Sequence, residues 1–373
     1  MLKLACIVAL AAGSMMTAPT EDQAFFAILA ETKVGRIAGS PPIDLSKIPA
    51  QFRSKIPPSA MMFSGKAARL LNIRLWSPTI APADAKASVA PPAGLKQGDK
   101  LDLELYRPEG SSGAGEPVKG FEPDSNPDFT IKIYWGSSPT VKPDQPRIIK
   151  WTGLTDDQRV AMRERARETQ AAGSYFYKPG WTTGYWPTKT QPGQIDSDAS
   201  LAGKYTLTTN YTGNVDIEAP SDVDFLAPIE MSSPDLDKKI DLQKSIAFKW
   251  AAIPHVLGQY ATIMGMEGQN TLILWTSSEV YADRLMGDMG FLQMSEVKDF
   301  VSQTVFMGPD RTSVDVPAGI FEDADFAMLN MAGYGPGAAL DKAQPLPRIQ
   351  TKTSLMIMLG GKKMHNMGGG FGG

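Results

Sequence analysis

Apolar and polar residues alternate with a period of two along much of the chain. Leu71, Ile73 and Leu75 alternate with Asn72, Arg74 and Trp76, and Leu101, Leu103 and Leu105 with Asp102, Glu104 and Tyr106. Phe129, Ile131, Ile133 and Trp135 alternate with Thr130, Lys132 and Tyr134; Tyr205, Leu207 and Thr209 with Lys204, Thr206 and Thr208; Val215 and Ile217 with Asp216 and Glu218. Each run predicts a half-buried strand, one face on a core and the other in water. Segments rich in Pro, Gly, Ser and Asp separate them, as at 108–113 and 123–127. Beyond Ser233, Ile246, Phe248 and Trp250 alternate again, and strand-like runs follow at 260–264, 271–275, 313–316, 326–331 and 353–359. Many short strands between turns predict an all-β chain of antiparallel sandwiches.

Two stretches break the pattern. Residues 155–170, TDDQRVAMRERARETQ, predict a surface helix. Thr155 and Gln158 have capping-box spacing, and Asp156 and Asp157 suit the positive end of the helix dipole. Residues 295–302 predict a short helix capped by Ser295. The run 24–30 is apolar throughout and is expected to pack on the body of the protein or to fray. The repeated prolines of 36–60 remove helix and central-strand options and predict an extended arm.

The amino terminus reads MLKLACIVALAAGSMMTA. One lysine, a short apolar run and small residues give the layout of a secretory signal peptide, and the run is too short to span a bilayer. Cleavage after Gly13 and after Ser14 fit equally. The expected organisation is a signal peptide at 1–18, a proline-rich arm or linker at 19–65, and a sandwich at 66–230 with the helix inserted. A second sandwich at 231–362 and a flexible Gly/Met tail at 363–373 complete it. The mature chain is expected to carry no transmembrane segment and to be secreted, periplasmic or on the cell surface. Cys6, the only cysteine, falls in the leader, so disulfides and thiolate chemistry are excluded from the mature protein.

Residues 245–260, SIAFKWAAIPHVLGQY, resemble the second and third strands of a fibronectin type III or related immunoglobulin-like domain. In that family a Trp on one strand packs against a Tyr on the next; Trp250 and Tyr260 match those positions. The resemblance implies an immunoglobulin-like sandwich for the second unit and implies no activity. Residues 327–331 lack the tyrosine the family carries on a late strand.

The net charge is −3 with mixed signs, which argues against a nucleic-acid partner. The two histidines, His255 in a turn and His365 in the tail, form no triad, and no catalytic or phosphate-binding motif is present. Asp102 with Glu104, and Asp216 with Glu218, share strand faces that read as solvated; Asp222 and Asp224 lie in a turn. The oxygen-rich loops 124–128 and 196–198 read as ordinary turns rather than calcium sites. Met364, His365 and Met367 are soft donors on a glycine tail. No cofactor, metal or catalytic residue is assigned.

The stretch 175–186, YFYKPGWTTGYW, carries six aromatics among twelve residues. In a Gly/Pro loop these rings either plug the core or offer a stacking surface to a ligand. Burying one large ring gains ~2–3 kcal/mol, which favours the plug. The ligand reading assigns Tyr175, Tyr177, Trp181, Tyr185 and Trp186. The function expected first is a non-enzymatic binding or scaffold protein of the envelope or extracellular space, with a polysaccharide or surface protein as partner. A carbohydrate-active hydrolase using a carboxylate pair is the second reading. The third is a self-assembling surface subunit docking through an exposed strand at 353–359.

Overall fold

The computed structural model describes residues 23–42, 63–107, 128–159, 181–191, 193, 195–282 and 290–362. Seventeen strands and one complete α-helix organise them. In chain order they are β1 (Phe25–Ile37), β2 (Ala68–Ser77), β3 (Ala87–Ala90), β4 (Leu101–Asp102), β5 (Glu104–Tyr106), β6 (Thr130–Trp135), β7 (Arg147–Lys150) and β8 (Thr182–Trp186). There follow β9 (Gly203–Thr209), β10 (Val215–Ala219), β11 (Met231–Ser233), β12 (Ile246–Trp250), β13 (Gly258–Glu267), β14 (Thr271–Thr276), helix α1 (Met294–Ser302), β15 (Ser313–Val316), β16 (Phe326–Ala339) and β17 (Leu346–Gly360). No described helix is long and apolar enough to cross a membrane.

The fold is all-β with sandwich-like packing. Ten strands form one sheet in the order β5-β8-β2-β1-β17-β16-β13-β14-β6-β7. Two smaller sheets, β10-β9-β3-β4 and β11-β12-β15, lie against one of its faces. Under the four-stranded sheet, Phe26, Ile28, Ile73, Leu75 and Trp186 meet Val89, Tyr205, Leu207 and Ile217. Under the three-stranded sheet, Ile263, Ile273, Trp275, Leu329 and Ile357 meet Phe248, Trp250 and Val316. The boundary expected at 231 therefore separates the small sheets, while the large sheet draws strands from both sides of it. The other face carries three further apolar clusters, one of them around α1, where Val297 packs with Tyr260, Phe306 and Tyr334.

Several expectations need correction. Within the arm expected at 19–65, Phe25–Ile37 is a thirteen-residue central strand, parallel to β17 and antiparallel to β2. It is buried on both faces, so its sequence runs apolar instead of alternating. The Leu101–Tyr106 run is two strands in two sheets: Leu101 and Asp102 pair with β3, Leu103 N–H still bonds the Ala87 carbonyl in that register, and Glu104–Tyr106 passes on to pair with β8. The 353–359 segment is no edge: β17 is paired on both sides, by β1 and β16. Trp250 lies in the core under the three-stranded sheet, and Tyr260 projects from the opposite face of the large sheet, stacked on Phe306 at 5.1 Å.

Helix α1 begins two residues earlier than Ser295 as cap would place it. Gln293 is the N-cap residue, and its backbone N–H donates to Glu296 Oε2 at 2.8 Å. The other capping box forms as expected: Thr155 N–H donates to Gln158 Oε1 at 2.9 Å, and Gln158 N–H to Thr155 Oγ1 at 3.3 Å. Residues 156–159 are helical; the rest of the helix expected to 170, like 1–18 and 363–373, is outside the described residues.

Candidate functional site

The last five residues of the aromatic stretch form strand β8, threaded between β2 and β5. Strand alternation then divides its rings. Trp186, opposite Ile73, points into the core beneath the four-stranded sheet and has no exposed surface. Its indole packs so closely on the 193 backbone, at φ +65°, that a Cβ there would stand 2.5 Å from the ring. The burial corrects its expected place on a ligand rim: Trp186 is a plug. Trp181 and Tyr185 lie on the opposite face. Trp181 is half-buried against the cluster of Phe25, Trp76 and Phe291. Tyr175 and Tyr177 fall outside the described residues.

Tyr185 is the centre of a cross-strand row. It is directly opposite Arg74 on β2 and Glu104 on β5, so the three side chains share one face. The Arg74 guanidinium lies over the Tyr185 ring, 5.9 Å from its centroid. Its Nη1 donates to the Trp186 carbonyl at 2.8 Å and the Ile73 carbonyl at 2.9 Å, and its Nη2 to Asn72 Oδ1 at 3.2 Å. Burial first, then the neighbouring Glu104 carboxylate, raise the phenol above its ordinary range, with Arg74 opposing. The phenol therefore stays protonated at neutral pH and serves as a donor. A half-buried ring is thus fixed between a carboxylate and a guanidinium, beside an amide.

Further along this face, Glu31 and Lys352 are register partners on β1 and β17. Their charged atoms are 3.6 Å apart, and their side chains are 8% and 0% exposed. Ser354 Oγ donates to Glu31 Oε1, and the Lys352 ammonium lies 4.9 Å from the centre of the Phe291 ring. Sequence reading missed this group and Arg74 alike. The one available signal was a charged residue inside the apolar runs of 24–37 and 346–360.

The other candidates do not come together. Asp216 pairs with Lys204 at 2.7 Å, and the hydrogen bonds from Lys204 and Thr206 hold its carboxyl below the ordinary range. Asp102 pairs with Lys100 at 2.6 Å, and Asp198 with Lys96. Asp224 accepts from Ser200 Oγ and from the backbone of Leu201 and Phe225, a turn-closing role. His255 occupies an exposed left-handed turn position at φ 64°. Among the described residues no group of three or more His, Cys, Asp or Glu is arranged to hold a metal ion. Compared with known protein families, characterised proteins and solved structures, the chain gives no match.

Proposed function

We propose that this is an exported, non-enzymatic binding protein of the envelope or extracellular space. Its ligand is a polysaccharide held on the large sheet at the β5-β8-β2 end. The leader sequence supports export. The row Glu104–Tyr185–Arg74 carries the binding reading. A sugar ring offers an apolar face and a rim of hydroxyls. Tyr185 supplies a flat ring, while Glu104, Asn72 and Arg74 supply acceptors and donors beside it. Sites of this kind take most of their contact from rings and their orientation from a few placed polar groups. A hydrolytic acid, by contrast, needs a carboxyl raised toward neutrality, and Asp216 is moved the other way.

The test is depletion of the purified mature protein by a panel of insoluble polysaccharides. Tyr185→Ala is expected to keep its melting temperature within a few degrees and to lose retention. Trp186→Ala removes a fully buried ring and is expected to lose about 3–5 kcal/mol of stability. Retention by a folded Tyr185→Ala protein equal to that of the parent, or no retention on any polymer of the panel, would sink the reading.

A further inference from the structure

A second aromatic group lies on the same sheet face, at the far end. Trp135 ends β6, Arg147 begins β7, and Tyr281 follows β14 in the loop toward α1. The Tyr281 ring meets Trp135 edge-on at 5.1 Å between centroids. The Arg147 guanidinium lies over Tyr281 at 4.8 Å. Arg147 is directly opposite Ile133, whose face belongs to the apolar cluster that both rings join, away from the small sheets. Seven strand spacings separate β8 from β6, on the order of 30 Å.

The group is held from behind. The Gln145 amide bonds the Trp135 backbone both ways, donating to its carbonyl at 2.7 Å and accepting from its N–H at 3.3 Å. Lys142 and Glu279 join the two loops at 3.3 Å, and Glu279 also accepts from Ser137 N–H. Both rings remain half-exposed and Arg147 is exposed. Val141 and Val280, 39% and 41% exposed, stand on the same loops. Preorganised rings beside exposed apolar side chains are what a stacking ligand needs.

Charge narrows the ligand. Lys132 is neutralised by Glu267 and Lys142 by Glu279. Among the described residues no carboxylate pairs with Arg147. Stacking engages the flat face of a guanidinium and leaves its in-plane N–H groups free, in the fork that fits a carboxylate. We propose that Trp135, Tyr281 and Arg147 form a second saccharide subsite, taking a uronate-bearing chain. This rests on the reading that the sheet face binds polysaccharide, and it adds a charge requirement and a second point of attachment.

The experiment measures retention of the full mature chain on immobilised polygalacturonate and on the same polymer fully methyl-esterified, beside a neutral glucan panel. Polygalacturonate is expected to retain the protein, esterification to weaken retention about tenfold or more, and added salt to weaken it further. Arg147→Ala, an exposed change, and Tyr281→Ala, checked by thermal melt, are each expected to lose that acidic-polymer component. Arg147→Lys is expected to recover only part of it. Equal retention on acid and ester, an unaffected Arg147→Ala protein, or no retention on either polymer would overturn the subsite. Neutral-glucan retention lost in Tyr185→Ala and kept in Arg147→Ala would then leave the first site standing alone.

Discussion

Glu31 and Lys352 are the most consequential pair of side chains outside the two aromatic groups. Desolvating two charges costs several kcal/mol per ion, and here their mutual attraction acts across 3.6 Å with Ser354 adding one hydrogen bond. The pair contributes little net stability against an apolar replacement, yet removing one member takes a buried counter-charge from the other. Glu31→Gln keeps the other contacts of Lys352, such as the Phe291 ring, and is expected to lose about 1–3 kcal/mol in urea unfolding. The double variant Glu31→Leu/Lys352→Met is expected to recover most of that loss. An unchanged midpoint in the single variant would show that water reaches Lys352. The pair also explains why β1 holds its register. A slip of one residue along β17 would separate the charges and turn Phe26 and Ile28 out of the core.

Elements meet here through small clearances. A Cβ at Gly258 on β13 would stand 2.8 Å from Val301 Cγ2 and 2.9 Å from Val297 Cγ1, both of α1. Gly258→Ala must push the helix off the sheet, with an expected loss of about 1–3 kcal/mol, read from the melting temperature. Faster amide exchange confined to α1 and the 305–307 segment would locate the effect; an unchanged melt would mean that the helix yields freely. The same scale shows what sequence could convey. Strands buried on one face, such as β2, β9, β10 and β12, announce themselves by alternation. β1 does not, because both its faces are covered, and β8 does not, because Gly184 and the threonines blur its pattern. The rings of 175–186 were legible as an aromatic cluster, but the division of Trp181, Tyr185 and Trp186 between two faces waits on β8 being a strand. The row Glu104–Tyr185–Arg74 joins residues far apart in sequence, and only strand order creates it. The same holds for Trp135, Arg147 and Tyr281, each unremarkable within its own segment.

At the scale of the molecule, three long strands bind the two cores into one body. On β1, Phe26, Ile28 and Ala30 serve the core of the four-stranded sheet and Val34 that of the three-stranded one. On β17, Ile349 serves the first, and Leu355, Ile357 and Leu359 the second. β16 likewise places Ala338 against the first and Leu329 and Met331 in the second. Neither core keeps its floor if the other opens, so unfolding is expected to be a single transition in spite of the chain's length. Pulsed hydrogen exchange along a urea gradient, read on peptides from β2 and β9 and from β12 and β14, is expected to give coincident midpoints. Separated midpoints would mean that the shared strands transmit little. The same reasoning bears on fragments. Residues 231–362 alone lack β1 and β6, which leaves β17 and β14 as long apolar edges without their parallel partners. In the whole protein the sheet ends on the short strands β5 and β7, the latter guarded by Arg147 and Lys150, which makes safe edges. The fragment replaces both with unsafe ones. It is expected to aggregate, or to lack the fixed near-ultraviolet signal of Trp250 and Trp275; a soluble, cooperatively melting fragment would establish 231–362 as an autonomous domain.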